Sequence, residues 1–594
     1  MKQNKRRLPD KGFDHGVTGS PTQAKLESEQ DRPKLTRLDW FVAPLAAALT
    51  AVWAFPYIGT ATNWDDLFYM NLSQYTTPQG WVLNRYGHIY LQKLFFWLAG
   101  DALTGTRIYW CFLFFSTCVF VYWCARMLAR NSGYIVGLIA VLLFCVPKVF
   151  ARYVGCTLAD FSVMFFVALG TFVYLSFLAG KYKYRCFIIM ILGLIFFWAV
   201  KSKEIGLCFA VLFLGLGEES TGTRNVRRFV KDIGWVCVGM IAGCVLLMTL
   251  DMVFMRDVFF SVTPSNWHEL FAHNLKEFKT SWPIMTWYTY LSVQPLLPLC
   301  LLYLLIGWKM NLQNSSRNRM IVWLVPLAML LLIQIIAVLR GHYHVDSRYF
   351  AAAIPGICVW AAQFFQFRLN GSLYLRKNKH PVPKAPVVLI LILLAFIIVC
   401  AFMPKTADIA QNTRVKTPER FYAAVIMPLS TTVLLIVGAT SKKRGLFAIF
   451  VSSLCLFFLV YSPLKNNLTS LKQRVVAKKS EWRYEPYRIF ADELRFERDV
   501  IILVSKDVHA RSWMLGRRQD AHCWMFNVFF NQKFDYDSFI DGNREDILKA
   551  NYTYAFLTWR DWKDLTEKHD VEHLTKNYAV NSNKALQLIL LKKR

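Results

Sequence analysis

The chain has 594 residues, 55% of them hydrophobic and only 18% charged, with a mean hydropathy of +0.31. An ordinary soluble domain carries about 25% charged residues, so composition excludes a soluble enzyme and predicts a polytopic α-helical membrane protein. The net charge of +30 comes from 69 basic and 39 acidic residues. In a soluble chain it would suggest nucleic acid; here the basic residues gather between apolar runs, and no nucleic-acid partner is expected. The 14 cysteines lie mostly inside those runs with no paired CxxC spacing, so neither a disulfide set nor a zinc site is expected.

Residues 1–38 are polar and basic and read as a disordered cytoplasmic tail. They lack the short apolar core of a cleavable signal peptide. Apolar runs then recur, most of them near the roughly 18 residues or more that cross a bilayer. About 13 spans are predicted: 40–59, 107–128, 133–150, 159–179, 185–200, 204–217, 232–254, 284–307, 320–339, 349–366, 386–403, 421–439 and 446–463. Alternate loops are rich in Lys and Arg, as in Arg224, Arg227, Arg228 and Lys231. By the positive-inside rule the N-terminus is cytoplasmic and the region after the last span is extracytoplasmic, in an inner or plasma membrane.

Three outward segments are long. The first, 60–106, contains "GHIYLQKLFFWLAGDAL", which suits a helix lying in the membrane interface. The second is 256–283. The third, 466–594, turns charged, and its apolar runs shrink to strand length at 499–505, 552–559 and 585–592. Between them "PYRIFADELRFE" and "SFIDGNREDILKANY" read as helices. A small soluble α/β domain follows from this pattern, attached to a transmembrane domain over 39–465.

Polar residues gather on the outer side. Asp65 and Asp66 stand in "NWDDLF", the expected first turn of a short helix capped by Asn63. Acids there favour the helix dipole; equally, a carboxylate at the membrane surface can serve as a general base. Lys201, Lys203 and Glu204 fall in the turn "AVKSKEIGL". They read either as snorkelling lysines or as a phosphate site with Glu204 positioning a lysine. Arg340, His342, His344, Asp346, Arg348 and Tyr349 crowd "VLRGHYHVDSRYFAAAIPG". Arginine forks suit phosphate oxygens, and the His pair lacks a third metal ligand. Lys148, Arg152 and Asp160 share this outer face, as do Arg85 and His88 in the first loop. The span centres are nearly free of ionisable groups, which argues against the competing class, a transporter or flippase of a lipid-linked precursor.

With the acid pair in the first outer loop, the interfacial helix, the "KSKE" turn and the "SRYFAAAIP" segment, the chain resembles the integral-membrane glycosyltransferases of the GT-C superfamily. The likeness covers roughly residues 40–460. It is similar to the aminoarabinose transferases and the protein O-mannosyltransferases. Many of those carry Asp-Glu where this chain has Asp65-Asp66, and "RYGHIYLQK" stands in place of a His-Pro-Pro element. The resemblance implies an inverting transfer of sugar from a polyprenyl-phosphate donor to a glycan, lipid or protein hydroxyl. It implies Asp65 as general base, with Asp66 as the alternative or an orienting partner. Lys203 and Arg348 would hold the donor phosphate, with Lys201, Arg340 and Tyr349 nearby. Glu204, Arg152, Arg85, His88, His342 and His344 are supporting candidates. No cofactor is required; a divalent metal near Asp65 and Asp66 stays open.

Overall fold

A computed structural model describes residues 35–52, 64–75, 85–129, 133–147, 149–150, 153, 156, 158–179, 184–217, 225–261, 317–340, 347–370, 457, 461, 465, 468–469, 501–505, 539–548, 552–568, 571–583 and 588–594. The expected spans 284–307, 386–403 and 421–439 lie outside these residues, as do all but two positions of 446–463.

The helices follow the apolar runs. They are α1 (Arg37–Val52), α2 (Trp64–Tyr75), α3 (Tyr86–Ala99), α4 (Ala102–Leu128), α5 (Gly133–Phe144), α6 (Ala159–Ala179), α7 (Arg185–Ser202), α8 (Val226–Met255), α9 (Arg317–Arg340) and α10 (Ile354–Asn370). Among the described residues, four are long and apolar enough to cross a membrane: α4, α6, α7 and α8. At 1.5 Å per residue the 30 residues of α8 extend about 45 Å.

The expected span 204–217 departs from an α-helix. Glu204–Gly215 is a 12-residue 3₁₀ helix. A 3₁₀ helix rises about 2.0 Å per residue, so this short run reaches roughly 24 Å where an α-helix would reach about 18 Å. A second 3₁₀ turn, Ser347–Ala353, leads into α10, where the sequence predicts the start of a span at 349.

Local chemistry sets the element ends. The α3–α4 reversal takes two residues. Gly100 adopts φ +79°, a left-handed conformation that glycine takes without a Cβ penalty, and Asp101 caps α4 by accepting from the Thr104 N–H at 2.8 Å. Asn225 caps α8 through the Arg228 N–H.

Packing depends on small residues at contacts. A Cβ on Gly193 would stand 2.1 Å from the Val236 carbonyl oxygen, and one on Gly239 would stand 1.9 Å from that of Met190. These two glycines bring α7 and α8 backbone to backbone, and Gly243 makes room for the Phe197 ring, as small residues do where membrane helices pack. Aromatic rings fill the interior, including Phe114, Phe144 and Phe150, whose centroids lie 4.5–5.6 Å apart.

Buried charges sit at the two ends of this bundle. At one end Asp39 pairs with Arg126 at 3.2 Å, and Asp232 accepts from the Arg185 guanidinium and the Gly217 N–H. At the other end stand Asp160, Lys201, Lys203 and Asp251, described below.

The C-terminal residues form a five-stranded mixed sheet. Its strands are β1 (Ile502–Ser505), β2 (Phe539–Gly542), β3 (Tyr554–Thr558), β4 (Tyr578–Asn583) and β5 (Leu588–Lys593), in the order β2-β1-β3-β5-β4. β1 runs parallel to β2 and β3, and β5 is antiparallel to β3 and β4. All of β1 and β3 is buried, as strands covered on both faces are. One expectation fails here, and one strand is unexpected. "SFIDGNREDILKANY" is a strand followed by a 3₁₀ turn at Arg544–Leu548, not a helix: Gly542 and Asn543 interrupt any helical run, and Ile540 pairs with Leu503. β4, "YAVNSN", is too polar to signal a strand and forms by pairing along β5. "PYRIFADELRFE" lies outside the described residues.

Candidate functional site

α7 ends at Ser202, and Lys203 follows in an extended conformation. That turns its side chain onto the first turn of α6, where its Nζ meets an Asp160 carboxylate oxygen at 2.6 Å. Both side chains are nearly buried, 11% and 5% exposed, so each needs the other to offset lost hydration. The Lys203 ammonium also lies 4.4 Å from the centre of the Tyr349 ring. The Arg348 guanidinium approaches the same ring at 5.3 Å. Two cations and one carboxylate from the "KSKE" turn, the "SRYF" turn and α6 thus meet around a single phenol ring. Cation–π attraction is suited to holding them. Arg348 and Tyr349 are only half-buried, so the cluster has an open side.

The acid pair sits on α2. Asp65 and Asp66 occupy its first turn, as the sequence predicts; Asn63 lies outside the described residues, and so does the Asp65 side chain. Asp66 is fully buried. Position 65 stands one turn before Tyr69 on the same helix face. The Tyr69 ring meets His88 edge-on at 4.9 Å, and the Arg85 guanidinium donates to the Tyr69 hydroxyl. His88 Nδ1 is 2.7 Å from Ser162 Oγ, and the Tyr109 hydroxyl is 2.7 Å from the same oxygen. Ser162 lies two residues beyond Asp160 on α6. One buried polar line therefore runs from the acid-pair helix through His88 to the turn that holds Lys203.

α2 is tethered further along its length. Ser73 Oγ donates to Gln92 Oε1 at 2.8 Å. Lys93 donates to the Ser73 carbonyl at 3.1 Å, a cation at a helix C-terminus; burial pulls the Lys93 ammonium below its ordinary range.

Other expected residues go elsewhere. The Lys201 ammonium donates to the Ser261 carbonyl at 2.7 Å, away from Lys203. Glu204 opens the 3₁₀ helix and is half-buried. Arg340 closes α9, but its side chain lies outside what is described, as do Arg152, His342 and His344 entirely. No group of three metal-binding side chains occurs among the described residues. Asp160, only a member of the outer face in the sequence, is the direct partner of Lys203. Its signal was a lone carboxylate opening an apolar span.

No protein-family model matches the sequence, and neither does any curated protein. Solved structures do. ArnT from Cupriavidus metallidurans bound to undecaprenyl phosphate matches at a TM-score of 0.53 and 12% identity, over 94% of this chain and 98% of that chain. Its apo state matches at 0.53 and 11%, over 93% and 97%. The Archaeoglobus fulgidus oligosaccharyltransferase follows at 0.44 and 10%, over 88% of this chain and 70% of that one. The chain has the fold of these ArnT structures. The likeness runs nearly end to end in both chains.

Proposed function

We propose that the chain is a GT-C glycosyltransferase that moves a sugar from a polyprenyl-phosphate donor to an acceptor hydroxyl on a glycan, lipid or protein. The observation that carries this reading is the Lys203–Asp160–Tyr349–Arg348 cluster at one end of an apolar bundle. A lipid phosphate needs a cationic site at the membrane surface with hydrocarbon beneath it. The fold shared with an enzyme crystallised with undecaprenyl phosphate supports the same donor class.

In this mechanism Asp65 accepts the proton of the acceptor hydroxyl. The oxygen attacks the anomeric carbon on the face opposite the phosphate, so the configuration inverts. The sugar–phosphate C–O bond breaks, and the electron pair leaves with the polyprenyl phosphate, whose negative charge grows by one. Lys203 and Arg348 stabilise that developing charge. Asp160 and the Tyr349 ring hold Lys203 in place, and Asp66 orients the acid-pair helix from within the core. The reaction is placed at the extracytoplasmic face, with 1–38 as a cytoplasmic tail, 39–465 as the transmembrane domain and 466–594 as an outer α/β domain.

Transfer from a labelled polyprenyl-phosphate sugar tests the assignment. Removing a general base costs about 10²- to 10⁴-fold in rate, so Asp65→Asn should lose transfer by at least about a hundredfold while still binding donor. Full activity in both Asp65→Asn and Asp66→Asn would reduce the pair to a helix cap.

A further inference from the structure

Asp251 is a fully buried carboxylate near the end of α8 that the transfer chemistry leaves unused. It accepts from the Tyr90 hydroxyl at 2.5 Å, from Ser261 Oγ at 2.6 Å and from the Ser261 N–H at 3.0 Å. Burial and the neighbouring Asp251 carboxylate push the Tyr90 phenol well above its ordinary range. Tyr90 therefore stays a protonated donor. The clamped Ser261 in turn offers its carbonyl to Lys201 Nζ at 2.7 Å.

The surroundings fix this hub firmly. Tyr86 meets Phe260 edge-on at 5.2 Å, and Tyr90 lies 5.6 Å from Phe254. Gly87 brings α3 against the end of α7, where a Cβ would come within 3.0 Å of the Lys201 carbonyl carbon. The last turn of α7 is thus gripped from α3 by backbone contact and from α8 through Ser261. Lys203 follows two residues later, and its direction depends on where that turn stops.

We propose that Asp251 is a positioning residue for Lys203. It fixes Ser261, Ser261 fixes Lys201, and Lys201 acts as a strut that sets the Lys203 ammonium against Asp160 and Tyr349. This rests on the reading of Lys203 as a ligand of the donor phosphate, and it removes Lys201 from the set of direct phosphate ligands.

The test is a double-mutant cycle on the full chain in lipid nanodiscs, reading undecaprenyl phosphate affinity. Asp251→Asn and Lys201→Met should each weaken binding about tenfold in the parent. In the Lys203→Met background neither should weaken it further. An equal loss in both backgrounds would overturn the proposal, since a general loss of structure or direct contact of Lys201 with phosphate adds to the effect of Lys203. Full affinity in both single variants would overturn it as well. Lys201→Met leaves the buried Asp251 hub intact, so the cycle stays readable if Asp251→Asn does not fold. If Lys203→Met itself leaves affinity unchanged, the phosphate site falls, and the positioning role with it; that result differs from additivity with a working Lys203.

Discussion

Asp160 and Lys203 are 43 residues apart in the chain and 2.6 Å apart in space. A buried ion pair contributes little net stability over an apolar pair, but losing one partner strands the other charge, at about 3–5 kcal/mol. Asp160→Ala should therefore lower stability by roughly 3 kcal/mol, and the double variant Asp160→Ala/Lys203→Met should recover most of it in detergent unfolding curves. Removing the ring with Tyr349→Leu should weaken undecaprenyl phosphate binding by about 1–2 kcal/mol, the scale of a partly desolvated cation–π contact; Tyr349→Phe should not. Lys203, Arg348 and Tyr349 were legible in the sequence because charges beside apolar runs stand out. The pairing of Lys203 with Asp160 was not, since only the packing of α6 on α7 joins them. The contact that Lys201 makes was not legible either. Its partner is a backbone carbonyl at Ser261, and a carbonyl leaves no mark in a sequence.

At the scale of elements, several of the apolar spans that fall on described residues were readable to within about six residues at their ends. Position 159–179 coincides with α6, because a continuous apolar run ending in the glycine-lysine stretch at 180–181 admits few alternatives. The 3₁₀ helix was not readable: an all-apolar stretch carries no period to distinguish three residues per turn from 3.6. Nor was β4, whose pairing comes from β5 rather than from its own residues. The glycine contact of α7 and α8 had a signal in "GMIAG" (239–243), a Gly-x-x-x-Gly in an apolar helix. At Gly239 the geometry leaves no space, since the nearest atoms are backbone. Gly239→Leu should cost at least the roughly 1–3 kcal/mol of an overpacked core, seen as lost monodisperse protein on size exclusion, whereas Gly234→Ala, with open space around it, should be silent.

For the molecule as a whole, the described buried charges of the helical bundle fall at its two ends and leave its middle uncharged, while Asp561 is buried against Ser505 and Thr558 of the C-terminal sheet. A translocation path needs polar groups at mid-span; chemistry at a membrane face needs them where they are found. The topology has a direct check. Tyr184, before the start of α7, and Asp257, after the end of the parallel helix α8, are exposed near opposite ends of this helix pair. In a background with the native cysteines replaced by Ser or Ala, an impermeant maleimide should label Asp257→Cys in intact cells and Tyr184→Cys only after permeabilisation. The opposite pattern would invert the topology and place the cation cluster in the cytoplasm. The alternating Lys and Arg loops carried this expectation, whereas the sheet order of the C-terminal strands depends on pairings that no local pattern encodes.

The 12-residue 3₁₀ helix acts as a ruler. With three residues per turn, Gly206, Phe209, Leu212 and Gly215 form one straight ridge, and all four are buried. Its two ends serve different tasks: Lys203 precedes the first turn, and Gly217, just past the last, donates to Asp232. Deleting one residue between them would shorten the rod by about 2 Å and rotate the ridge by about 120°. The ridge would leave its groove, or Lys203 would be drawn off Asp160. The number of residues in this element, more than their identity, sets the height at which the ammonium stands.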